Sequence, residues 1–70
     1  MYQINWRIVK LTREKKLISS GDFAKRLGIP IQVYSNYEVG RRTPRENQVD
    51  LLKNMSIELG TTMDDLIFNP

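Results

Sequence analysis

Gln32 and Asn36 stand four residues apart in a stretch bounded by Gly28 and Gly40. On a helix their side-chain amides lie one turn apart on the same face. An amide donates and accepts at once, which is what bidentate pairing to adenine N6 and N7 requires, and each good pair is worth about 1–3 kcal/mol of base discrimination. Ile31, at the edge of that face, suits contact with a thymine methyl, and Ser35 suits a base edge or a phosphate. Placed on a helical wheel, Pro30, Val33, Tyr34 and Tyr37 fall opposite Gln32, Ser35, Asn36 and Val39, so one face can sit on a core while the other meets something outside. Arg41, Arg42 and Arg45 follow directly, around a turn containing Gly40. Guanidinium groups there would hold phosphates and fix register without reading sequence. The plainer readings are an ordinary polar helix face and a solvated basic loop.

Other chemistry has few candidates. The chain lacks Cys and His, which removes disulfides, thiolate nucleophiles, the usual zinc sites and the commonest general base. Asp64 and Asp65 are the only adjacent acids, and a place in the first turn of a last helix explains them without catalysis. No enzyme activity, cofactor or metal is expected. No apolar run approaches the roughly 20 residues of a membrane span, and the start does not read as a signal peptide. A cytoplasmic protein without a membrane partner is therefore expected. Charge is polarised along the chain: residues 1–45 hold ten Lys or Arg against three acids, net +7, and residues 46–70 hold one Lys against five acids, net −4. A basic front suits a polyanionic partner, though charge alone is also compatible with a merely solvated surface.

The elements that would position these residues are helices. Asn5 can cap a first helix from about Trp6 to Lys16, with Ile4 and Val9 placed as a hydrophobic staple and Ile8 and Leu11 continuing the Ile4 stripe. Ser19 with Asp22 opens a second helix, Ser20 to Leu27, whose inward stripe is Phe23, Ala24 and Leu27; Gly21 weakens its first turn, and Gly28 ends it. A third helix over about 31–38 must start almost at once, with Ile29 tucked under the connection. A fourth helix opens either at Thr43-Pro44-Arg45-Glu46 or at Asn47 with Asp50, carries Val49, Leu52, Met55 and Leu59 inward, and stops at Gly60. Thr62 with Asp65 caps a last short helix bearing Met63, Leu66, Ile67 and Phe68.

Two amphipathic helices joined by a short glycine-containing turn describe a helix-turn-helix. The run Phe23-Ala24-Lys25-Arg26-Leu27-Gly28-Ile29, followed by Tyr34-Ser35-Asn36-Tyr37-Glu38-Val39-Gly40-Arg41-Arg42-Thr43-Pro44, resembles the phage-repressor and Cro type of helix-turn-helix protein. The pattern is an apolar residue, Ala, two polar residues, Leu-Gly-apolar, a recognition helix, then aromatic-Glu-X-Gly and a basic loop ending in Pro. Arg7-Ile8 with Leu11, and Leu59-Gly60 through Leu66, extend the likeness over most of the chain.

The resemblance implies an all-α fold, a compact five-helix domain of the lambda-repressor-like type spanning 1–70. It implies base contacts from Ile31, Gln32, Ser35 and Asn36, and backbone contacts from Ser20, Tyr34, Tyr37, Arg41, Arg42 and Arg45. Arg45 is best placed to enter a minor groove, and the two tyrosines would be core rings whose hydroxyls reach the rim. Glu38 would brace the fold through Arg13 or Arg7. Two positions depart from the family: Ser20 stands where a Gln is usual, and Pro30 where Ser or Thr caps the recognition helix.

The implied function is sequence-specific binding of double-stranded DNA by a small repressor or Cro-like regulator of phage or bacterial origin. It would act as a homodimer on a two-fold site, with Met63, Leu66, Ile67 and Phe68 as the dimer or partner contact. The alternative is an interaction protein of the same fold, an antirepressor, repressor modulator or antitoxin that binds a protein such as a repressor.

Overall fold

The computed structural model describes residues 3–44 and 48–68. Helix α1 is Trp6–Lys15, α2 Ser20–Leu27, α3 Ile31–Glu38 and α4 Gln48–Leu59, followed by a single 3-10 turn at Asp64–Leu66. Each boundary has a local cause. The Asn5 side chain accepts from the Ile8 N–H, and basic Arg13 and Lys15 occupy the negative end of α1. The chain leaves α1 through Leu17, a non-glycine residue at φ 59°. Ser19 Oγ accepts from the Asp22 N–H at 3.1 Å and so caps α2. Gly28, at φ 74°, ends that helix, and the Ile29 N–H reaches back to the Ala24 carbonyl at 3.0 Å.

Helix α3 starts two residues later on Pro30, which supplies no side-chain cap. At its other end Gly40 takes φ 84°, and the N–H groups of Arg41 and Arg42 both donate to the Asn36 carbonyl, at 2.9 and 3.2 Å. The basic loop is thereby tied to the helix before it.

Of the two openings for the fourth helix, the one with Pro44 at the first helical position is overturned. Pro44 lies in non-helical chain, buried, and its carbonyl accepts from the Gln48 side-chain amide. The rival cap, Asn47, lies outside the described residues, as do Arg45 and Glu46. The expected fifth helix is also corrected. Thr62 and Asp65 do form a reciprocal cap, but only one 3-10 turn follows before Ile67 becomes extended and pairs with Ile4 in an antiparallel bridge. Backbone bonds from Asn5 to Leu66 at 2.8 Å and from Phe68 to Gln3 at 3.0 Å flank that bridge. A helix cannot continue where the backbone groups are already paired with another segment.

The core consists of Ile4, Val9, Phe23, Ala24, Tyr34, Leu52, Met55, Leu59 and Leu66, with Trp6, Ile18, Leu27, Ile29, Leu51, Met63 and Ile67 packed around it. At its centre the Tyr34 ring takes the edge of Phe23 at 5.4 Å and of Trp6 at 6.2 Å, while Trp6 stacks on Tyr37 at 5.6 Å. Such pairs add to the area they bury. They bind α1 and α2 to α3. Two expected stripes are displaced: α1 turns Val9 and Arg13 inward and leaves Ile8 and Leu11 exposed, and α4 buries Ser56 while exposing Val49. The Ser56 hydroxyl is accommodated by donating to the Lys53 carbonyl at 2.7 Å.

Candidate nucleic-acid interface

Helices α2 and α3 pack directly on one another, joined by Gly28, Ile29 and Pro30. The outer face of α3 presents Ile31 and Gln32 exposed, with Ser35 and Asn36 half-buried beside them. These four residues line one open cleft of about 480 Å³. All four expected base-contacting positions are therefore neighbours on a single surface. Ser20 is half-buried in the first turn of α2, and Tyr37 is half-buried with its ring against Trp6. Arg41 and Arg42 are exposed in the loop anchored on the Asn36 carbonyl. Arg45 lies outside the described residues.

Two expected contacts are corrected. Tyr34 is fully buried, and its hydroxyl donates to Glu38. That phenol faces inward and offers nothing to a phosphate. Leu66, expected in a dimer contact, is fully buried against the core; Met63 and Ile67 are half-buried, and Phe68 keeps an exposed ring. Leu66 is drawn inward because the 3-10 turn and the Ile4–Ile67 bridge press that segment onto α1.

Beneath the face lies the device that holds α3. Arg13 grips Glu38 with two bonds, Nε to Oε2 at 3.1 Å and Nη2 to Oε1 at 3.0 Å, and gives its third nitrogen, Nη1, to the Ile18 carbonyl at 2.7 Å. Of Arg13 and Arg7, it is Arg13 that braces Glu38. Both side chains are only 8% exposed. Burial opposes the charge on Arg13, but the hydrogen bonds and charge of Glu38 outweigh it and raise the guanidinium pKa above its ordinary value. Burial, and then the bond to Glu38, push the Tyr34 phenol well above the usual tyrosine range.

A family model described as helix-turn-helix matches residues 9–66. The chain belongs to this helix-turn-helix family. The match takes in most of α1 and all of α2, α3, the basic loop and α4, so the phage-repressor and Cro resemblance and the all-α fold both hold. No curated protein matches the chain. As a helix-turn-helix protein it falls in a class of DNA-binding regulators. Among the described residues no group of His, Cys, Asp and Glu could hold a metal ion, and no helix is long and apolar enough to cross a membrane.

One helix-turn-helix feature escaped the sequence reading. Gly21, which weakens the first turn of α2, lies so close to α3 that a Cβ there would stand 3.1 Å from Ile31 Cδ1. The signal was a glycine in an otherwise well-capped helix, where no turn asks for one.

Proposed function

We propose that this protein is a sequence-specific, double-stranded DNA-binding transcriptional regulator of the small repressor or Cro-like kind. The observation that carries the reading is the clustering of Ile31, Gln32, Ser35 and Asn36 on the outward face of α3, within a helix-turn-helix. The amides of Gln32 and Asn36 read adenine edges in the major groove, and Ser35 reads a base edge or phosphate. Ser20, Tyr37, Arg41 and Arg42 hold the phosphate backbone, and Arg45 enters the minor groove. Two copies occupy a two-fold site, with contact through Met63, Ile67 and Phe68.

A second reading draws on Pro30. The recognition helix has neither a side-chain cap nor an N–H at that position to offer phosphate. This favours a protein partner, in the manner of an antirepressor or antitoxin. Binding to random and selected duplexes over a salt series separates the two. A DNA reader enriches one site and gives log K falling linearly with log salt, by about 0.9 per neutralised phosphate. An absence of duplex binding even at low salt, with a repressor co-purifying, would decide for the protein partner.

A further inference from the structure

Gly21 does not have a positive φ, unlike Gly28, Gly40 and Gly60, and alanine is the better helix residue. What glycine supplies is space: Ile31 Cδ1 lies where it would come within 3.1 Å of any Cβ at that position. Ile31 thus rests on the bare backbone of α2 and is nevertheless 50% exposed, an apolar group among amides on a cleft wall. Being β-branched, it is stiff at χ1, and the contact with α2 limits it further. The apolar group that a base pair presents in the major groove is the pyrimidine C5-methyl; the other groups there are donors and acceptors.

We propose that Gly21 and Ile31 together form a seat for a pyrimidine 5-methyl group, so that at one base pair of each half-site the protein reads the methyl itself, on thymine or on 5-methylcytosine. Gln32 and Asn36 read neighbouring pairs. This rests on the DNA-reading assignment and adds a specificity pair to it.

The test uses the full chain and a duplex selected from a random pool. Each thymine is replaced singly by deoxyuridine, which removes only the methyl, and affinity is followed by fluorescence anisotropy. One thymine per half-site should lose about three- to five-fold, the value of burying one methyl-sized group. Cytosine placed at that position should gain a similar factor when methylated at C5. Both effects should vanish in Ile31→Ala. They should shrink in Gly21→Ala, where Ile31 must shift by a few tenths of an ångström, while the salt slope stays unchanged. Should Ile31→Ala lose its fold, Ile31→Thr keeps the branch, removes the apolar end and carries the same comparison.

A selected duplex indifferent to every deoxyuridine overturns the methyl seat and leaves DNA reading standing. A deoxyuridine effect that persists in the Ile31 variants does the same. A gain from 5-methylcytosine without any thymine effect would also overturn it, because the seat is blind to the rest of the base. If no duplex is selected at all, both readings fall.

Discussion

Glu38 gathers a guanidinium fork from α1 and a phenol from its own helix, and the positioning of α3 depends on that junction. Glu38→Ala should leave the Arg13 charge buried with only the Ile18 carbonyl, costing about 3–5 kcal/mol in a urea titration, much of the stability of a small domain. Tyr34 gives a test in alkali. Its folded pKa lies above the ordinary value of 10.0, so the folded state keeps a proton that the unfolded chain gives up. This contribution is whole below about pH 10 and is lost as pH rises further. Stability measured from pH 8 to 11 should fall more steeply in the wild type than in Tyr34→Phe. On the outer face, Gln32→Ala or Asn36→Ala should relax preference at one base pair by about 1–3 kcal/mol and leave binding to random duplex nearly unchanged. The brace partner was legible as a choice between two arginines. The Tyr34 hydroxyl was not, because a fully buried phenol and one at a rim have the same sequence signature.

Among the elements, α2 and α3 lie close to where the sequence places them, since Ser19, Gly28 and Gly40 bound them by mechanisms confined to a few neighbouring residues. The end of α1 is different. Leu17 holds φ 59° with its side chain 93% exposed. A leucine there carries the left-handed penalty of about 1–2 kcal/mol without burial to offset it. Leu17→Gly should therefore raise stability by roughly 0.5–1 kcal/mol after the entropy glycine adds to the unfolded chain, an increase in Tm of about 2–8 °C by calorimetry. The inward stripe of α1 is not the most apolar one: Ile8 and Leu11 stay exposed, and the stripe containing Arg13 is buried. The structure buries Arg13 because it has three hydrogen bonds waiting. At the C-terminus, a capping box promised a helix, and a backbone bridge to Ile4 intercepted it.

For the whole molecule, the four-residue surface proposed to read DNA would reach few base pairs, so two copies with half-sites about 10 base pairs apart are the expected arrangement. Inserting about 5 base pairs between the half-sites of a selected site puts them on opposite faces of the duplex and should reduce gel-shift binding to that of a single half-site. Phe68→Ser, which removes an exposed ring from the surface proposed for the contact, should weaken the dimer in sedimentation without changing the monomer's helix content. The segregation of positive charge into the first 45 residues should make the association rate fall steeply with salt.

Local chemistry determines much of this protein. Caps, glycines and helical periodicity act within a few residues, so the helix-turn-helix, the extent of α3 and the shared face of Gln32 and Asn36 follow from the sequence by itself. Contacts between distant segments do not. The burial of Arg13 and Tyr34, the pairing of Ile4 with Ile67, the inward turn of Leu66 and the seating of Ile31 on Gly21 were decided by tertiary structure. Each depends on which surface another helix or segment covers, and side-chain type alone leaves that choice open.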